Sequence, residues 1–148
     1  MQIRHQPISL QTSSQNSMNV RPDQLGSIIA KSIFPVYMVS GDEPLQQMES
    51  LDIIRTYLKE NDFLEREILD VDAQFDWQQL MDEAASLSLF ATRRIVELRL
   101  PSAKPGRQGA QILKEYLTNP PEDTILIINS GKIDGNAKKS AWYKTIEQ

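Results

Sequence analysis

The residues best placed to do chemistry are those of the turn Ser40-Gly41-Asp42-Glu43-Pro44-Leu45, which follows an apolar run and opens a helix. A nucleotide site at such a turn needs small residues, so that backbone N–H groups can wrap a phosphate at the helix N-terminus, and a lysine for charge. This turn has one glycine, no Gly-Lys-Ser/Thr, two carboxylates where phosphate charge would lie, and a proline that removes a donor. Nucleotide binding at this turn is disfavoured on electrostatic grounds. Asp70 and Asp72, at the end of a later strand signal, have the spacing of a magnesium-binding pair, but with no phosphate site beside them they read as ordinary surface carboxylates. Ser40, Ser86 and Ser88 have no histidine partner, because the one histidine is His5 in a polar tail. Nucleophilic Ser–His chemistry and a histidine metal site are therefore not expected. The chain has no cysteine, which removes disulfides and thiolate chemistry. No catalytic, cofactor or metal residue is assigned.

Elements that would carry these residues alternate along the chain. Val36-Tyr37-Met38-Val39 is continuously apolar, as in a strand buried on both faces. From Pro44, residues Leu45, Met48, Leu51, Ile54 and Leu58 recur at spacings of three and four and predict one helical stripe on a core. Glu65 to Val71 reads as a second strand. Asp76 caps a helix to about Ser86, with Gln79 at the capping-box position and Phe75 placed to staple onto Leu80. Ile95, Val96, Leu98 and Leu100 mark a third strand. A helix over Gln108–Leu117 turns Ile112, Leu113, Tyr116 and Leu117 inward and stops at Asn119-Pro120-Pro121. Ile125 to Ile128 is a fourth strand, and a last helix from about Asp134 presents Ala137, Ala141 and Trp142.

This alternation predicts an α/β fold, a three-layer, mostly parallel sheet with helices on both faces. Residues 1–17, rich in Gln, Ser and Asn, read as a disordered lead before a structured unit over 18–148, in which Pro22 to Lys31 forms a short helix. At 148 residues, 40% of them apolar and 24% charged, one globular domain is expected. No apolar run approaches the ~20 residues that span a bilayer, so a soluble, cytoplasmic protein without a membrane partner is expected. Charge is uneven: residues 41–90 carry three basic and thirteen acidic side chains, whereas 91–148 carry ten basic and six acidic. The acidic middle argues against a general nucleic-acid binder. Lys132, Lys138, Lys139 and Lys144 read as a solvated helix face.

One stretch breaks the pattern. Between a helix that should end near Ser86 and a strand starting at Arg93, the connector carries Leu87, Leu89 and Phe90, although connectors usually run over the surface. Pattern alone leaves two readings, a plug in the domain's own core or a hook for another protein.

The span from Val36 to Trp142 resembles the N-terminal domain of the delta subunit of bacterial DNA polymerase III, a clamp-loader component. The resemblance rests on Tyr37-Met38-Val39-Ser40-Gly41-Asp42-Glu43-Pro44-Leu45, Asp72 through Phe75-Asp76-Trp77, and Ser86-Leu87-Ser88-Leu89-Phe90. Arg93-Arg94, Glu97-Leu98-Arg99-Leu100-Pro101 and Ala141-Trp142-Tyr143 complete it. It implies an AAA+-like, P-loop-type domain without its phosphate loop, ending before its last strand and without the family's later helical domains. It also implies a non-enzymatic module that binds the sliding clamp (the beta subunit) through Leu87, Leu89 and Phe90, opening or holding it during DNA replication. The family belongs to the DNA-directed DNA polymerase (nucleotidyltransferase) holoenzyme. Its clamp-loader ATPase subunits are implied partners of the full-length family rather than of this chain, and DNA is met only through the complex. In that fold the last strand lies beside the first, so Val36–Val39 is expected to be left as an exposed edge. A divergent nucleotide-binding enzyme and a structural scaffold remain as the alternatives from the residues alone.

Overall fold

A computed structural model describes residues 8–11, 17–20, 34–41, 43–85, 93–102, 104–133, 135, 139, 142 and 144. Among the described residues six strands form one sheet: β1 (Ile8–Gln11), β2 (Ser17–Val20), β3 (Val36–Ser40), β4 (Phe63–Asp70), β5 (Arg93–Leu100) and β6 (Thr124–Ser130). The helices are α1 (Pro44–Glu60), α2 (Gln78–Ala85) and α3 (Gly106–Thr118). Spatial order is β2-β1-β3-β6-β5-β4. The four strands β3, β6, β5 and β4 are parallel, joined by helical crossovers as parallel pairing requires.

Both faces of β3 and β6 are buried, which is why these strands are apolar without alternation. On one face Tyr37, Val39, Ile95, Ile125 and Ile127 pack with Leu51, Ile54 and Leu58 of α1. On the other, Met38, Val96, Leu98, Leu126 and Ile128 meet α2 through Leu80 and α3 through Ile112, Leu113, Tyr116 and Leu117. The three layers are those expected. Trp77 lies against Gly109, where a Cβ would come within 2.4 Å of the indole; glycine there lets α3 close on the loop before α2. Trp142 is buried in the same cluster. The rest of the last helix, and the helix expected over Pro22–Lys31, lie largely or wholly outside the described residues.

Three expectations are corrected. The lead is not structureless throughout: β1 and β2 pair antiparallel, with Ile8 opposite Val20 and Leu10 opposite Met18. Each segment alternates apolar and polar residues over four positions, a period-2 signal submerged in a Gln/Ser/Asn-rich composition. β1 also pairs with β3, Leu10 opposite Tyr37, so Val36–Val39 is an interior strand and not an exposed edge.

The α1 stripe is also shorter than expected. Leu51, Ile54 and Leu58 are buried, but Leu45 is 81% and Met48 58% exposed. Three successive three-residue steps drift around the helix. Leu45 is nine residues from Ile54, which at about 3.6 residues per turn places them on opposite sides. Gln47 and Ser50 take the sheet-facing positions instead. The helix ends where Asn61 Nδ2 donates to Tyr57 O and Asp62 takes a positive φ of 72°.

One charge is enclosed. Glu97 on β5 is fully buried on the α1 face and is paired with Arg55 of α1. Arg55 also meets Asp52 at 3.5 Å, and Arg99 approaches Glu97 at 4.0 Å and Asp70 at 3.6 Å. The network ties α1 to β5 and β4. Removing one partner would leave a buried charge uncompensated, a loss of about 3–5 kcal/mol. Among the described residues no helix is long and apolar enough to cross a membrane.

Leu58→Ala is expected to cost about 2–5 kcal/mol, as core truncations do, whereas Leu45→Ala should stay within about 0.5 kcal/mol; urea unfolding of both variants measures the contrast. The buried phenols set a second expectation. Burial pushes Tyr37 up to about 12, against the lowering effect of the Phe34 N–H that donates to its oxygen and with a smaller raising effect from Tyr57. Burial also raises Tyr116, against the nearby Arg94 charge. Unfolded tyrosine ionises near 10, so the folded state holds these groups neutral where the unfolded state does not. Stability should therefore be intact below pH 10 and fall as pH rises from there towards 12. Denaturant midpoints across that range, compared with those of Tyr37→Phe and Tyr116→Phe, test this.

Candidate functional site

Ligands of open α/β sheets bind outside the carboxyl ends of the strands, where the strand order reverses. Here that point lies between β3 and β6. Gly41 leaves β3 with φ 151°, and Glu43 precedes α1 without a side-chain cap; Asp42 is outside the described residues. Gln47 reaches across from α1, its Nε2 donating to Ser130 O at 2.8 Å and to Asn129 Oδ1 at 3.4 Å. A side-chain amide thus bridges the crevice that a phosphate would enter. Ser40 is buried at the end of β3. Asp70 faces Arg99 at 3.6 Å, and Asp72 Oδ1 accepts the N–H of Gln74 at 2.9 Å, so both carboxylates have partners within the fold.

Leu87, Leu89 and Phe90, with Ser86 and Ser88, lie outside the described residues. Both roots of their seven-residue connector are described. They stand at the opposite end of the parallel strands from the Gln47 bridge, since α2 ends at Ala85 and β5 begins at Arg93. Asp76 starts α2 by accepting the N–H of Gln78 on Oδ1 at 3.0 Å. Phe75 stacks edge-on to Trp77, ring centroids 5.2 Å apart, and both belong to the cluster that contains Leu80.

The root on β5 is held by two arginines. Arg94 is nearly buried; its Nη2 pairs with Glu83 Oε2 at 2.5 Å, its Nη1 donates to Glu83 O at 3.4 Å, and its Nε lies 3.4 Å from Glu65 Oε2. The end of α2 is thereby clamped to the start of β5. Arg93 lies over the Phe63 ring at 5.3 Å, donates to Asn61 O at 3.3 Å and meets Asp123 at 3.5 Å. The Arg94 N–H donates to Asp123 O at 2.9 Å. Ion pairs and a cation–π contact (useful at about 0.5–2 kcal/mol when partly desolvated) fix where the connector leaves and rejoins the fold.

Two hollows flank these roots. One of about 470 Å³ lies between the ends of α2 and α3, over Met81, Ala84, Tyr116 and Pro120. The other, about 540 Å³, is bounded by Pro35, Phe63, Arg93 and Thr124. Pro120, Pro121 and Glu122 form the ridge between them. Sequence reasoning read Asn119-Pro120-Pro121 only as a helix stop. The signal that these prolines also wall a groove was absent, because it depends on α2 and α3 ending side by side.

Residues 37–148 match the family model described as DNA polymerase III, delta subunit. The chain is 30% identical over 127 residues to the DNA polymerase III subunit delta of Haemophilus influenzae, covering 86% of this chain and 37% of the relative. It is 27% identical over 128 residues to that of Escherichia coli, covering 84% and 36%. The chain therefore spans a little over a third of the length of these relatives. A solved DNA polymerase III gamma subunit-related protein from Thermotoga maritima superimposes with a TM-score of 0.49 at 17% identity, over 75% of this chain and 39% of that one.

If Glu83 and Arg94 clamp the connector's roots together, a double-mutant cycle with Glu83→Ala and Arg94→Ala should give a coupling of about 1–3 kcal/mol in thermal or urea unfolding. A coupling near zero would mean that the connector is held by packing alone.

Proposed function

The chain belongs to the family of the DNA polymerase III delta subunit, and from that premise we propose that it binds the sliding clamp through Leu87, Leu89 and Phe90. The observation that carries this reading is the contrast at the connector. Seven residues, three of them large and apolar, span Ala85 to Arg93, and both ends are fixed by the Arg94–Glu83 and Arg93–Asp123 pairs. A rigid root lowers the ordering cost of presenting an apolar tip to a partner.

Burying each such side chain contributes ~1.5–3 kcal/mol, so three suffice to anchor a protein partner against the costs of association. The chain acts mechanically in this reading. If the domain fits the opened ring better than the closed one, binding shifts the ring towards opening by that difference in affinity, with no chemical step here. The Gln47 bridge across the β3/β6 crevice supports action without nucleotide, and DNA is met through the assembly.

Leu87→Ala, Leu89→Ala and Phe90→Ala are each expected to raise the dissociation constant for the sliding clamp roughly tenfold, and the triple variant to abolish capture, with melting temperatures unchanged. Titration calorimetry with a parallel thermal melt reads both quantities. Parent-like binding by the triple variant would sink the proposal. So would a melting point several degrees lower for Phe90→Ala, because that residue would then belong to the domain's own core.

A further inference from the structure

We propose that the groove between the ends of α2 and α3 is a second contact for the partner that takes the tip, receiving an apolar side chain flanked by basic residues. The inference rests on the clamp-binding reading and extends it from a peptide-sized hook to a two-part surface.

Three observations carry it. The groove floor is apolar, made by Met81, Ala84 and Tyr116 with Pro120 and Pro121 as one wall, and its volume of about 470 Å³ admits a large side chain. Its rim is acidic: Glu115 and Glu122 are both exposed and neither has an ion pair among the described residues. No lysine or arginine is among the described residues that line the groove, and the arginines at the connector's root are engaged elsewhere, Arg94 by Glu83 and Glu65 and Arg93 by Asp123. An apolar floor under an uncompensated negative rim fits a hydrophobic knob with lysine or arginine beside it. The third observation is position. Ala85 both lines the groove and is the last residue before the connector, so the segment that carries the tip leaves the fold at the groove.

The two contacts should be separable by kinetics. Rim charges act mainly on association and are screened by salt, while desolvated apolar anchors act mainly on dissociation. With the sliding clamp as probe and the full chain as ligand, Glu115→Lys combined with Glu122→Lys should slow association at least tenfold at low salt. The effect should shrink at 0.5 M salt, with little change in dissociation. Ala85→Trp, which fills the groove, should weaken equilibrium binding tenfold or more without lowering the melting temperature. The tip triple variant should instead speed dissociation. If the charge-reversed and groove-filled variants bind as the parent does while the tip variant fails, the groove proposal is overturned and the tip reading stands. If the tip variant binds normally, the tip reading falls and the groove proposal with it. If the parent self-associates and the charge-reversed variant does not, a second copy fills the groove, which also overturns the proposal.

Discussion

Burial of the central parallel strands β3, β6 and β5 on both faces is the constraint from which the rest of this molecule follows. Tyr37 and Val39 point to one layer, Val36 and Met38 to the other, and all four are essentially inaccessible to water. A sheet of that kind needs helices above and below, so α1 covers one face and α2 with α3 the other. Crossover helices then leave connectors only at the two ends of the strands. Every candidate for function lies at one of those ends.

The two ends have opposite characters. At the carboxyl end of β3 and β6, Gln47 spans the crevice and joins α1 to Asn129 and Ser130. At the other end, Arg93 and Arg94 gather α2, β4, β5 and the turn before β6 into one fixed corner. An apolar connector leaves from that corner beside an acid-rimmed groove. The proposed reading rests on this division: Gln47 ties the β3/β6 end across, and ion pairs hold the roots of the apolar connector at the opposite end.

Within this frame Glu97 is the costly element. A carboxylate wholly buried in an apolar layer is tolerated because Arg55 reaches it from α1 and Arg99 stands nearby. Such pairs contribute little net stability compared with a hydrophobic isostere, and much of their effect is to penalise misplacement. A shift of α1 along the sheet would strand the charge. The pair therefore fixes the position of α1, and with it the reach of Gln47.

The layered α/β fold was legible in the sequence because its signals are local. Continuous apolar runs at Val36–Val39 and Ile125–Ile128, and the spacing of Ile112, Leu113, Tyr116 and Leu117, each follow from one element meeting a core. The antiparallel strands at Ile8–Gln11 and Ser17–Val20 were not legible, since four residues of alternation within polar composition gain meaning only when β3 offers an edge to pair with. Leu45 and Met48 were misassigned for a related reason: a spacing rule counts matches, but the accumulated rotation along α1 decides which side faces the sheet. The apolar character of Leu87, Leu89 and Phe90 is a property of the sequence alone. Tertiary structure alone decided that Arg94, Glu83 and Glu65 converge to root that segment, and that Met81, Tyr116 and Pro120 wall one groove. Those groups are far apart along the chain, and their interaction energies exist only once the sheet has brought them within a few ångströms.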